Sequence, residues 1–152
     1  MCEENNKTYK YMEIINEEIK ELFGKIPIMV LSTADKNSIP NVVAIASKKI
    51  VNSDTIWTID TFHNKTIQNI LQNENVAIAM WQGKNGYQIK GKAKYYTEGE
   101  IFEAGKKWIL QSKPTKIVKG VIEIKVNEIF SITPNYEDAG KMISSINGKN
   151  IY

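Results

Sequence analysis

Asn64-Lys65-Thr66 places an amide side chain, a lysine and a hydroxyl at the start of a predicted helix, Asn64 to Gln72. The first-turn N–H groups of a helix lack intrahelical partners, and its macrodipole favours negative charge at that end. The chemistry this arrangement suits is the binding of a phosphate. The triplet is also an ordinary helix start, since asparagine is a good N-cap. Its position just after a strand ending in Ile59-Asp60-Thr61 strengthens the phosphate reading, because ligands collect where strands feed into loops.

Two further groups have the character of a ring-binding site. Ala44, Ile45, Ala46 and Ser47 form a run of small and medium side chains on a strand. A flat aromatic ligand can lie against such backbone and accept hydrogen bonds from its amides. A tightly packed barrel strand has the same composition. Trp81, Tyr87 and Gln88 flank a predicted hairpin, where the aromatics can stack on a ring and the glutamine can bond its polar edge. They can equally seal a subunit interface. His63 is the single histidine and Cys2 the single cysteine. A multi-histidine metal site, a cysteine-rich zinc site and an internal disulfide are therefore excluded. No nucleophile–base–orienter set can be named, and neither a Gly-rich dinucleotide fingerprint nor a P-loop occurs.

The 152 residues suit one domain with a hydrophobic core, and 42% apolar with 24% charged residues is ordinary for a soluble globular chain. No apolar run approaches the roughly 20 residues needed to span a bilayer. The start, MCEENNKTYK, is polar and carries no secretory pattern. A reducing cytoplasm is the expected compartment. The net charge of +3 comes from lysine alone, since the chain has no arginine. Phosphate must then be held by lysine, hydroxyls and backbone amides rather than by guanidinium forks. The lysines are scattered among 17 acidic residues without a dense basic block, so nucleic acid is not an expected partner.

The elements that position these residues follow from periodicity. Met12, Ile15, Ile19 and Leu22 predict an amphipathic helix from about Tyr9 to Phe23, stopped at Gly24, with its glutamates on a solvated face. Strands are expected at Ile28–Asp35, Asn41–Val51, Thr55–Asp60, Val76–Trp81 and Tyr87–Tyr96, with a turn around Gly83–Gly86. In the last of these strands Ile89, Gly91, Ala93 and Tyr95 share one face, and Lys90, Lys92 and Lys94 the other. Thr97-Glu98-Gly99-Glu100 has a capping-box pattern before a second amphipathic helix carrying Phe102, Trp108 and Ile109. A long strand, bent near Asn127, spans Ile117 to Ile132. No structure is assigned to Pro134–Tyr152. Short strands with only two internal helices argue for an antiparallel barrel rather than a βαβ layout.

In order and spacing, LSTADKNSIPNVV, NKTIQNILQNENVAIAMW and YQIKGKA resemble the FMN-binding split-barrel family related to pyridoxamine 5′-phosphate oxidase. That family includes general stress protein and flavin reductase-like members, and the resemblance covers Ile26 to Thr133. It implies a mainly β fold with flanking helices, a six-stranded antiparallel Greek-key split barrel. It also implies a homodimer with two FMN sites at the subunit interface. By position, Lys65 and Thr66 would hold the FMN phosphate with Asn64 beside them, and Ala44 to Ser47 would line the isoalloxazine. Ile59, Asp60 and Thr61 would flank the ring and ribityl chain, while Trp81 and Gln88 would approach from the hairpin.

The family's pyridoxamine phosphate oxidases use arginines for phosphates, several in a characteristic C-terminal segment. Here Tyr87 precedes Gln88 where an arginine is expected, and PNYEDAGKMISSINGKNIY shows no such segment. The expectation is an FMN-dependent oxidoreductase that takes electrons from a nicotinamide or protein donor and is not a true pyridoxamine phosphate oxidase. The alternatives are a non-catalytic flavin carrier or sensor, a nitroimidazole-resistance relative, and a haem- or deazaflavin-binding relative.

Overall fold

The structure, a computed structural model, describes residues 13–146. Its first helix, α1 (Glu17–Lys25), begins later than periodicity suggests, and Tyr9 to Met12 of the expected span lie outside the described residues. Asn16 sets the start: its extended backbone ends the preceding segment and its side chain accepts from the Ile19 amide at 2.9 Å. The Ile15 amide donates instead to the Ser53 carbonyl at 3.0 Å, so Ile15 is buried as an anchor ahead of the helix rather than within it. Glu13 and Glu17 pair with Lys20 at the surface, which is the solvated role expected of the helix's glutamates. The helix passes through Gly24 and ends at Lys25, with extended Ile26 before Pro27.

The strands are β1 (Met29–Ala34), β2 (Pro40–Ile45), β3 (Lys48–Asn52), β4 (Thr55–Asp60), β5 (Asn75–Gln82), β6 (Asn85–Tyr96), β7 (Gly120–Ser131) and β8 (Met142–Ser145). Helix α2 (Lys65–Gln72) links β4 to β5, and α3 (Gly99–Ser112) links β6 to β7. The strands pair antiparallel in the order β2-β1-β5-β6-β7-β4-β3, with β8 beside β7. β2 and β3 occupy opposite ends of this order, yet only Ala46 and Ser47 separate them in the chain. In a flat sheet those edges would stand about 29 Å apart, at about 4.8 Å per strand. The link from Ile45 to Lys48 spans at most about 11 Å. The sheet must curl until its edges meet, and the result is the antiparallel split barrel.

Eight strands replace the expected six for two reasons. Asn41–Val51 is not continuous, because closure breaks it at Ala46-Ser47 into β2 and β3. Part of the unassigned tail forms β8 along β7, while residues 147–152 lie outside the described residues. The final long strand starts at Gly120 rather than Ile117, since residues 117–119 belong to the incoming loop. The bend expected at Asn127 is present as a register shift in which Lys90 faces Glu128 and Gly91 faces Val126. The hairpin turn narrows to Gly83-Lys84, with Gly83 at φ +60°. The capping box does not form: α3 starts at Gly99 behind Glu98, without a side-chain cap.

Leu31, Ile56, Ile78, Met80, Ile89, Ile122, Ile124 and Ile129 fill the interior and are at most 1% exposed. Burying each contributes roughly 1.5–3 kcal/mol before the entropy of ordering is subtracted. On β6, Ile89, Gly91 and Ala93 are buried and Lys90, Lys92 and Lys94 exposed, as the alternation requires. A second cluster, with Ile59, Ile109 and Val121 at its centre, seats α3 against β4 and β7. Among the described residues no helix is long and apolar enough to cross a membrane.

Candidate functional site

The corner built around α2 begins at the end of β4. Asp60 is fully buried, and both carboxylate oxygens are engaged: Oδ1 accepts from the His63 amide at 2.8 Å and Oδ2 from the Tyr95 hydroxyl at 2.6 Å. This grip turns the chain out of the sheet, leaving Phe62 90% exposed and setting Asn64 as the residue before the helix. Asn64 is exposed and does not cap with its side chain; its Oδ1 accepts from Gln68 Nε2 at 3.2 Å. Lys65 is exposed, forms no ion pair among the described residues, and shares the first turn with no acidic residue. An uncompensated ammonium therefore stands beside the helix's positive end.

Thr66 faces inward and is 1% exposed. Its hydroxyl accepts from Asn41 Nδ2 at 3.1 Å, and the same Asn41 reaches Thr33 Oγ1 at 3.3 Å. Asn69 Nδ2 donates to Thr33 Oγ1 at 3.0 Å. Thr33, Asn41, Thr66 and Asn69 thus form a small buried polar network that ties α2 to β1 and β2. The Thr66 hydroxyl therefore lies in the protein interior, and the exposed residues of this first turn are Lys65 and Gln68. Sequence reasoning missed the network, although Thr66 and Asn69 sit at helical i, i+3 spacing, the mark of a shared face.

The barrel seam lies next to this corner. The Ile59 amide donates to the Ser47 carbonyl at 3.0 Å, bringing the Ala44–Ser47 run against Ile59, Asp60 and Thr61. Ala44 and Ala46 are exposed, whereas Ile45 and Ser47 point inward at 2% and 7% exposure. Ile59 is buried beneath α3, so Ile45 and Ile59 offer a ligand only their backbone. The Thr61 hydroxyl donates to the Ile117 carbonyl at 2.7 Å.

Trp81 and Gln88 lie elsewhere in the protomer. Ala44, Val30, Ala79 and Gln88 form one row across four adjacent strands, which puts Gln88 about 14 Å along the sheet from Ala44. The row's outward face carries Val42, 62% exposed, and Trp81, 53% exposed, among small alanines. The fold therefore assembles ten of the twelve expected residues at one open corner and sets Trp81 and Gln88 apart on an apolar sheet face.

Two titratable groups here have shifted equilibria. Burial lowers the His63 pKa; Asp60 opposes the shift, while Lys119 and Lys116 reinforce it. Burial, then the charge of Lys113, lowers that of Lys48, whose ammonium donates to the Ile26 carbonyl at 2.7 Å.

Residues 15–133 match the family model for pyridoxamine 5′-phosphate oxidase. The chain belongs to that family. It is 35% identical over 136 residues to a protein of Methanocaldococcus jannaschii of uncharacterised role, covering 88% of this chain and 89% of the relative. Among solved structures, HupZ of Group A Streptococcus is 28% identical with a TM-score of 0.73, over 83% of this chain and 98% of that one. An FMN-binding protein of Syntrophomonas wolfei is 20% identical with a TM-score of 0.67, over 82% and 93% of the two chains. HutZ, the haem storage protein of Vibrio cholerae, shares the fold at 14% identity and a TM-score of 0.61, over 76% and 93%. The chain has no arginine, so the groups its candidate phosphate corner offers are a lysine, an asparagine and backbone amides.

Proposed function

We propose that the protein is a homodimeric FMN-binding oxidoreductase that accepts electrons from a nicotinamide or protein donor and is not a true pyridoxamine phosphate oxidase. The observation that carries this reading is the unopposed Lys65 at the amino end of α2, directly beside a seam that exposes Ala44 and Ala46. The donor set fits FMN. Lys65, the Asn64 amide and the first-turn N–H groups suit a phosphate, and small side chains on the seam leave room for a flat ring. When bound, FMN supplies the redox chemistry; the protein supplies position, burial and hydrogen bonds. Backbone of Ser47 and of Ile59 to Thr61 would border the ring and ribityl chain.

The separation of Gln88 and Trp81 from the seam supports a second copy as the missing wall. In one protomer the corner is open, and an exposed apolar sheet face holds the two remaining residues. Packing two such faces would bury Val42 and Trp81 and bring the partner's hairpin toward the corner.

One observation favours a carrier or sensor as the second reading. The Asp60 carboxylate accepts on both oxygens, the Thr61 hydroxyl donates to the Ile117 carbonyl, and Thr66 is turned into the protein at 1% exposure, so none of the three presents a proton to a ligand at the surface. Anaerobic addition of NADH or NADPH to FMN-loaded protein separates the readings. Bleaching much faster than that of free FMN supports the reductase, and persistent colour with both donors supports the carrier. Equilibrium dialysis against FMN tests the core of the proposal, which fails if folded protein takes up none. Mass spectrometry of the ligand released from purified protein distinguishes FMN from haem or a deazaflavin.

A further inference from the structure

The β6–β7 ladder is interrupted midway. Lys90 faces Glu128 and Gly91 faces Val126, so Asn127 is the extra residue of a bulge. Gly91 permits this offset, since a Cβ there would collide with the Lys125 carbonyl. Beside the bulge the Ile146 amide, just past β8, donates to Asn127 O at 3.0 Å. A cavity of about 240 Å³ opens here, at the middle of β6. The α2 corner meets that strand near its other end, through Tyr95.

Lys90, Lys92 and Glu128 line this cavity, and Glu74 stands 3.6 Å from Lys92. Two ammoniums and two carboxylates sum to zero, yet the charges are not collapsed into tight pairs. Lys90 and Glu128 are direct cross-strand partners, a placement that lets such side chains meet. Their charged atoms nevertheless stand 3.9 Å apart, and the Lys90 ammonium lies over the Phe130 ring, 5.8 Å from its centre. Among the described residues Glu128 has no other side-chain partner, and the Asn127 side chain has none. Lys92 donates to Asn75 Oδ1 at 2.6 Å, which uses one of the three N–H groups of an ammonium. Val76, buried, and Ile146, exposed, add an apolar wall. The lysines suit a carboxylate, while Glu128 and the Asn127 amide oxygen suit an ammonium and repel a second carboxylate. The volume lies below that of a drug-sized site. Its complement is a small molecule of zero net charge with separated poles and an apolar part.

We infer that the cavity at the β6–β7 bulge binds a free amino acid with an apolar side chain. Its carboxylate sits on Lys90 and Lys92, its ammonium on Glu128 and Asn127, and its side chain against Val76 and Ile146. The site uses no residue of the α2 corner and goes beyond the proposed function, on which it does not depend.

Isothermal titration with L-leucine as the probe tests this, on the protein with and without added FMN. The expected result is that L-leucine binds in both cases. Leucinamide, which lacks the carboxylate, and 4-methylpentanoate, which lacks the ammonium, should each bind at least tenfold more weakly. Lys90→Gln and Glu128→Gln should each lose tenfold or more in affinity for L-leucine. In the unsubstituted protein, amide NMR shifts on adding L-leucine should cluster at residues 75–76, 90–92, 127–128 and 146, a readout that does not depend on the variants folding. The inference is overturned if L-leucine fails to bind, if either truncated ligand binds as well, if both variants match the parent, or if the shifts cluster elsewhere. FMN uptake is read in parallel: its absence with L-leucine binding retained sinks the flavin proposal alone.

Discussion

The phenol of Tyr95 on β6 donates to the buried carboxylate of Asp60 at the end of β4, 2.6 Å away, across the intervening strand β7. Gly120 on β7 makes this possible, because a Cβ there would collide with the Tyr95 ring. The same carboxylate holds the His63 amide, so one bond on the barrel face fixes the chain that delivers α2. Tyr95→Phe leaves one carboxylate oxygen without its donor. It should cost about 1–3 kcal/mol of unfolding free energy in urea titration. A loss below measurement error would show that Asp60 does not depend on this bond.

Alkaline pH should act through the same phenol. Burial, then the hydrogen bond and charge of Asp60, raise the Tyr95 pKa from its ordinary 10.0. Burial and Glu18 push that of Tyr87 up to about 12. Both shifts favour the neutral phenol in the folded state. Their stabilising contribution is therefore complete below about pH 10 and is lost as pH rises from there toward the folded-state values. Melting temperature should hold between pH 8 and 9 and fall above about pH 10. The Tyr87→Phe/Tyr95→Phe variant should fall less steeply; equal slopes would rule out these two groups.

Lys65→Glu places a negative charge beside the proposed phosphate. FMN affinity should drop by about 2 kcal/mol or more, as for the loss of a charge-assisted hydrogen bond. Fluorescence titration with FMN measures it, and unchanged affinity would remove Lys65 from the site.

Trp81→Glu puts a charge on the apolar sheet face. If that face joins two copies, light scattering on a sizing column should show a dimer for the parent protein and a monomer for the variant, with FMN uptake weakened at the same time. A variant that remains dimeric would place the interface elsewhere.

Much of the barrel was legible because strand alternation and turn residues are local signals. The Ile89–Gly91–Ala93 face, the Asn127 bend and the α2 start all follow from near neighbours in sequence. The break at Ala46-Ser47 was not legible, since Asn41–Val51 is rich in β-branched residues, has no Gly or Pro to mark an interruption, and is divided only by closure of the sheet. The capping box failed although its spacing is right: the N-cap is Glu98 instead of Thr97, so the helix begins one residue later, at Gly99.

The sequence by itself determined the family, the antiparallel barrel and the positive helix end with its lysine, because each is written in contiguous residues and short periods. Only the tertiary structure decided that Asp60 and Thr66 turn inward to protein partners, and that Gln88 lies about 14 Å along the sheet from Ala44. These facts depend on which strands become neighbours when the sheet curls, and that order joins residues far apart along the chain.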